Sequence, residues 1–264
     1  NTLKLLKKIK NRSIKIIDNN KKYFAPKFVN ELNKILRSEP NSKLISGGTD
    51  ISLIVTKERK DLNSLIYLNS IDELNYIKEN NGFIEVGAST PLIKFESFIK
   101  KYFPDFSEVL KRYGSVQIRN VCTIAGNIAT ASPIGDTLPM LLALDSQIIV
   151  KGKNKTQILP INGFFTNYRK TKLKKGQFIH SIRIPFLKQN IFKAYKISKR
   201  IDDDISSVCA SFNIEINKDK IKKIKIAYGG MSNTPKRAFN CEKVLVNSNI
   251  SYKTIGKAKK LLEK

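Results

Sequence analysis

Two stretches of this sequence carry residue types suited to holding an anionic ligand. In Ser46-Gly47-Gly48-Thr49-Asp50 two glycines follow a short apolar run. Glycines let the backbone approach a ligand closely, their N–H groups can form an anion-binding nest, and a neighbouring hydroxyl can add a bond to phosphate. Gly-Gly after a strand is also a common turn. The segment is neither a P-loop, which needs a Lys-Ser/Thr pair, nor the three-glycine dinucleotide fingerprint. The second stretch, Arg119 to Asp136, is a run of small, hydroxyl and amide side chains. With little to fill a core, it reads as a long loop that wraps a polar ligand with backbone amides and short donors.

Other chemistry is poorly served. Cys122, Cys209 and Cys241 lie far apart, whereas a zinc site or an iron–sulfur cluster wants clustered thiolates, so three reduced side chains and no metal are expected. His180, the single histidine, falls in a predicted strand without a Ser, Cys or second His at a suggestive spacing.

These stretches must be positioned by a mixed set of elements. Pro26 to Arg37 is predicted as a helix with Phe28, Leu32, Ile35 and Leu36 on one face. Leu44-Ile45 and Leu65 to Leu68 read as short strands, Ser70 and Glu73 as a capping box on one helical turn, and Asn80-Asn81-Gly82 as a turn before the strand Phe83 to Gly87. Pro91 opens a helix carrying Leu92, Phe95, Phe98 and Ile99. A helix from Asp136 leads to the strand Gln147 to Val150, and Gln177 to Pro185 and Phe192 to Ser198 are further strands. Ser206 to Ile216 and Ile221 to Tyr228 form a pair around a Lys-Asp-Lys turn, and helices over about Arg237 to Val246 and Ser251 to Lys264 finish the chain. The boundary between two units is expected near residue 188, after Pro185 and a polar stretch.

The chain has 49 Lys and Arg against 22 Asp and Glu, a net charge of +27. Clustered cations would suggest nucleic-acid binding, but the lysines are spread along nearly the whole chain and no basic region carries interleaved aromatics for base stacking. A basic nucleic-acid-binding module is therefore the lesser alternative. A basic surface also suits an anionic dinucleotide and an acidic partner. No apolar run approaches the roughly 18 residues of a membrane span, and no signal-peptide pattern follows the basic start. A cytoplasmic protein without membrane contact is expected.

Several segments, in order, resemble the molybdenum-hydroxylase flavoproteins of the xanthine dehydrogenase type. They are Ser46-Gly47-Gly48-Thr49-Asp50, Arg119-Asn120 with Thr123-x-x-Gly126-Asn127, Ala131-Ser132-Pro133-x-x-Asp136, Tyr168-Arg169-Lys170-Thr171 with Ser181 to Pro185, Lys196 to Ile205, and Gly229-Gly230-Met231 with Thr234 to Ala238. The resemblance runs from about residue 24 to the end. It implies an α+β chain: a two-lobed FAD-binding domain of the vanillyl-alcohol-oxidase type over 23–187, then an α+β C-terminal flavoprotein domain over 188–264, truncated at its end. Residues 1–22 are left as a basic lead-in or linker remnant.

The resemblance also implies a cofactor, non-covalent FAD, and its contacts. Leu44, Ile45, Ser46, Gly47, Gly48, Thr49, Asp50 and Ile51 would hold the pyrophosphate end. Thr123, Ile124, Ala125, Gly126, Asn127, Thr130 and Asp136 would line the rest. Tyr113 matches a position where the family has Phe stacked on the flavin, and Leu173 and Ile179 match apolar contacts. Lys196 would lie near the redox-active ring, where a fixed positive charge stabilises the reduced, anionic form; the charges from Lys199 to Asp204 would surround the nicotinamide entrance. Ala125 departs from the usual Gly-Gly-Asn. The implied activity is electron transfer from [2Fe–2S] clusters through FAD to NAD⁺ during purine oxidation. A molybdopterin-binding large subunit and a [2Fe–2S] domain or subunit would be partners, and this chain a fragment or a separately encoded flavin subunit. Carbon monoxide, an aldehyde or an aromatic acyl-CoA is the alternative substrate.

Overall fold

Helically spaced and alternating apolar residues sort the described residues into three larger sheets and a two-stranded ribbon, with helices packed on them. The computed structural model describes residues 2, 3, 5, 12–152, 155–187 and 189–262. Strands β1 (Ile14–Asp18) and β2 (Lys21–Ala25) form an antiparallel hairpin. Part of the expected lead-in over 1–22 is thus paired strand from Ile14 onward; residues 6–11 lie outside the described residues. Helix α1 (Val29–Ser38) buries Val29, Leu32 and Leu36. Phe28, expected on that face, is instead the extended residue before the first turn and is exposed. Strand β3 (Lys43–Ile45), the short helix α2 (Ser52–Thr56) and strand β4 (Ser64–Tyr67) follow. The sheet order is β1-β2-β4-β3, with β2 and β3 both parallel to β4. Phe24, Leu32, Ile66 and Leu74 anchor the core of this first lobe. No side-chain cap forms at the 3-10 turn Asp72–Leu74. Ser70 Oγ donates to Pro26 O at 2.6 Å and Tyr67 O at 3.0 Å, so it ties the entry of α1 to the end of β4 rather than forming a capping box.

The second lobe begins with the hairpin β5 (Ile77–Asn80) and β6 (Phe83–Gly87), turned at Gly82 with φ +91°. Five helices come next: α3 (Leu92–Ile99), α4 (Pro104–Lys111), α5 (Val116–Val121), α6 (Ile124–Thr130) and α7 (Thr137–Ala143). Strands β7 (Gln147–Gly152) and β8 (Lys155–Pro160), the ribbon β9 (Phe165–Asn167) with β10 (Lys170–Thr171), and β11 (Phe178–Pro185) complete it. The five-stranded antiparallel sheet has the order β5-β6-β11-β7-β8. Its inner face meets Leu92, Phe95, Phe106, Ile128 and Leu141 from the helices in the largest core cluster.

The expectation of a long wrapping loop over Arg119 to Asp136 is corrected: most of it is helix. Ser115 Oγ accepts from Ile118 N–H at 3.3 Å and starts α5; Thr123 Oγ1 accepts from Gly126 N–H at 3.1 Å and starts α6. Hydroxyl caps of this kind satisfy first-turn donors. Left-handed Ala131, φ +50°, ends α6. Small side chains here serve close packing, and their scarcity of apolar bulk hid the helical period.

The third sheet, β12 (Ile191–Ser198), β13 (Ser206–Asn217), β14 (Lys220–Gly229) and β15 (Lys236–Arg237), is an antiparallel meander. Alternation divides its faces. Ile221, Ile224 and Ile226 pack with Cys241 and Leu245 of α8 (Phe239–Leu245) and Ala258 of α9 (Tyr252–Lys260), whereas Ala194, Cys209 and Ala227 join the main core. The last sheet is thereby seated on α7. Glycines with close neighbours seal the seam: Gly230, φ +88°, donates from its N–H to Pro133 O at 2.9 Å, and a Cβ there would stand 2.3 Å from Ser207 O. No helix among the described residues is long and apolar enough to cross a membrane.

Candidate cofactor-binding site

A cleft of about 630 Å³ opens between the first lobe, the helices of the second lobe and the edge of the last sheet, within the roughly 300–1,000 Å³ of ligand and cofactor sites. One wall is the loop from β3 into α2. Its backbone is bare: the N–H groups of Gly47, Gly48, Thr49 and Asp50 donate to no carbonyl of the described residues. Gly48 has φ +74°, a conformation open to glycine, and only the Ile45 side chain lies near its would-be Cβ. Gly47 lines the cleft as expected and has a packing role as well. A Cβ on it would stand 2.1 Å from Val121 O and 2.7 Å from Cys122 Cα, so its bareness lets the loop lie on the end of α5, not only a phosphate on the loop. Ser46 is also committed, its hydroxyl donating to Asn69 Oδ1.

The opposite wall is made by side chains. Lys196 of β12 and Asp136, ahead of α7, form a buried ion pair at 2.7 Å. Lys196 Nζ also donates to Arg112 O at 2.9 Å, and Ser206 Oγ donates to the other carboxylate oxygen of Asp136. Arg112 returns the contact, donating to Lys196 O at 2.9 Å, Ser198 Oγ at 3.0 Å and Ile201 O at 2.9 Å. The loop after β12 is therefore fastened to the helical lobe at both its start and its middle. Because Asp136 offsets it, Lys196 presents an ion pair to the cleft, and the expected pull of a lone cation on a nearby ring is reduced.

Both signs of charge meet in the cleft. Lys43, Arg169 and Lys196 line it together with Asp50, Asp136, Asp203 and Asp204. Arg169 Nη2 reaches Asp50 at 2.6 Å across the mouth, and this contact holds the Arg169 guanidinium pKa above its ordinary value. The excess of lysine in the whole chain is not concentrated here, so a bound pyrophosphate would rely on backbone N–H groups. That bare loop, with Thr49 and Thr130 beside it, fits the phosphates of a dinucleotide, and the remaining space between Tyr113, Asn127 and Lys196 fits a planar polar ring.

Comparison with known proteins agrees with this geometry. Residues 16–187 match the FAD binding domain in molybdopterin dehydrogenase, and residues 193–264 match the CO dehydrogenase flavoprotein C-terminal domain. The chain belongs to this flavoprotein family. It is an FAD-binding flavoprotein domain of the molybdenum hydroxylases. Xanthine dehydrogenase of Emericella nidulans is 31% identical over 88% of the chain and 18% of that protein; xanthine dehydrogenase of Blastobotrys adeninivorans is 35% identical over 80% and 16%. A nicotinate hydroxylase of Emericella nidulans is 30% identical over 80% of the chain and 17% of that protein. The flavoprotein domain thus spans less than a fifth of these relatives. Its fold matches carbon monoxide dehydrogenase from Hydrogenophaga pseudoflava with a TM-score of 0.86 at 24% identity, covering 93% of this chain and 87% of that one.

The residues expected to touch FAD divide into two groups. Leu44 to Ile51, Tyr113, Thr123, Gly126, Asn127, Thr130, Asp136 and Lys196 all line the cleft. Thr123 does so with its hydroxyl already used as a helix cap. Ile124, Ala125, Leu173 and Ile179 are not on the wall: the first two are buried in the first turn of α6, Ile179 is buried on the inner face of β11, and Leu173 packs against the same core. Of the charged turn, Asp203 and Asp204 reach the cleft, while Lys199, Arg200 and Asp202 are exposed away from it. Cys122, Arg169 and Ser206 line the cleft without having been expected among the cofactor contacts. Arg169 lies in a matched segment and was legible there; Ser206 carried no signal of its own, because its role comes from the partner Asp136.

Proposed function

We propose that this flavoprotein domain holds FAD non-covalently in the cleft. Its working role is to carry electrons from [2Fe–2S] clusters to NAD⁺ in a xanthine dehydrogenase-type molybdenum hydroxylase acting on hypoxanthine or xanthine. The observation that carries the reading is the convergence of the bare Gly47 to Asp50 backbone and the Asn127, Asp136 and Lys196 side chains on one cleft. The 31% and 35% identities to two xanthine dehydrogenases support the purine class, with a nicotinate hydroxylase at 30% beside them. Partners carrying molybdopterin and [2Fe–2S] groups follow from the same relatives. FAD, when bound, supplies two-electron chemistry that no side chain offers. The chain's own residues would bind the phosphates through the Gly47 to Asp50 backbone N–H groups, while Tyr113, Asn127 and the Lys196–Asp136 pair would line the space left for the ring.

Non-covalent attachment follows from the nucleophiles present. His180 is half-buried in β11 and does not line the cleft. Cys122 does line it, but burial pushes its thiol up to about 12, so the thiolate needed for attack is scarce at neutral pH. Acid precipitation should release all the flavin to the supernatant; a yellow pellet would refute this. Anaerobic NADH titration of the FAD-loaded chain tests the acceptor: bleaching of the flavin band is expected, and a band untouched by excess NADH would remove NAD⁺ from the reading.

A further inference from the structure

Tyr113 brings a phenol hydroxyl to the wall of the cleft. The residue is held from several sides. Its N–H donates to Leu110 O at 3.0 Å, and the buried Arg119 donates from Nη1 to Tyr113 O at 3.1 Å and Gly114 O at 2.6 Å. Gly114, φ +51°, completes the turn that sends the ring to the cleft. The hydroxyl is held too. Fully buried Thr137 donates from Oγ1 to Asn127 Oδ1 at 2.5 Å, which turns the amide so that Nδ2 donates to Tyr113 Oη at 3.0 Å. The phenol is the acceptor in that contact, so its own proton remains to be given. That proton has no acceptor among the described residues. Burial, with Cys122 and Asp136 adding to it, raises the phenol pKa well above its ordinary value, and the proton stays in place at neutral pH.

We propose that Tyr113 donates a hydrogen bond from Oη to a carbonyl oxygen of the FAD ring, which rests on the FAD reading above. Asn127 and Arg119 act through it as positioning residues. Reduction adds electron density to the ring carbonyls, and a donor binds a more negative acceptor more strongly. The hydroxyl therefore favours the reduced cofactor, a function a Phe at this position cannot provide.

The test is the two-electron midpoint potential of the FAD-loaded 264-residue chain. Three forms are compared: wild type, Tyr113→Phe, and a chain with 3-fluorotyrosine placed at 113. Tyr113→Phe keeps the ring and removes one charge-assisted hydrogen bond. It should shift the oxidised-to-reduced ratio about tenfold toward oxidised, which is about 30 mV downward for a two-electron couple. FAD affinity should change by no more than a few-fold. The fluorinated phenol is a stronger donor and should move the midpoint the other way. Equal midpoints in all three forms at full FAD occupancy would overturn the proposal and leave the FAD reading intact. If Tyr113→Phe folds poorly, the fluorotyrosine form decides alone, because it keeps both ring and hydroxyl; a midpoint that does not rise overturns the proposal. A folded wild-type chain that takes up no FAD overturns both readings, and does so before any potential is measured.

Discussion

The two walls of the cleft are built on opposite plans. The Ser46 to Ile51 wall is local, contiguous and made of backbone: its job is done by absent side chains and unused N–H groups. The Asp136–Lys196–Ser206 wall is assembled from positions 60 and 70 residues apart and is made of buried, mutually satisfied side chains. The first tolerates polar change but no added bulk. The second tolerates bulk of the right shape but not the loss of one partner. A buried ion pair is weak as a source of net stability, yet breaking it strands a charge.

The largest effect should come from breaking the second wall. Asp136→Ala leaves the Lys196 ammonium buried without its carboxylate and should cost about 3–5 kcal/mol, read as a lower urea midpoint of the chain. The double variant Asp136→Leu with Lys196→Met removes both charges and should recover most of that loss. A double variant as unstable as the single one would show that packing, not charge, holds this wall.

The first wall should break at Gly47 before Gly48, for different reasons. Gly47→Val drives a side chain into the Val121 carbonyl and should cost about 1–3 kcal/mol or more by overpacking, with loss of FAD following loss of the loop's seat. Gly48→Ala makes only an ordinary contact with the Ile45 side chain but must hold φ near +74°, an expense of about 1–2 kcal/mol. Equal tolerance of Val at both positions would contradict the close seating of Gly47 on α5.

A pH effect distant from both walls calibrates them. Burial, with Lys151 adding to it, lowers His180 to about 4 from the ordinary 6.5. Between those values the unfolded chain binds a proton at this residue that the folded chain does not, so stability should fall as pH drops from about 6.5 to about 4. His180→Gln should flatten that part of a melting-temperature profile; an unchanged acid slope would assign it to other groups. The smallest effect is expected at the cleft mouth. Both partners of the Arg169–Asp50 pair are 43% exposed, so Arg169→Ala should cost less than about 1 kcal/mol and lose even that in high salt.

Local signals in the chain determined a great deal. The Gly-Gly pair after β3, the turn at Gly82, the alternation along β13 and β14 and the apolar spacing of α3 are nearest-neighbour properties, and each appears in the structure close to where the sequence places it. The ordered segments from Ser46 to Ala238 were enough to point to the flavoprotein family. What only the tertiary structure decided lies in contacts between distant positions. The hairpin at Ile14 was hidden because its β1 residues are all exposed and leave no buried stripe. The helices α5 and α6 were hidden because Gly, Ala and Thr carry little period of their own, and their caps matter only once the faces are packed. Ile124, Ala125, Leu173 and Ile179 turned to the core, not the cleft, since which side of an element meets a neighbour is set by the neighbour. Lys196 changed its meaning most: as one residue it is a cation, and 2.7 Å from Asp136 it is half of a neutral pair. Charge and burial are properties of pairs, and the pairs are made by folding.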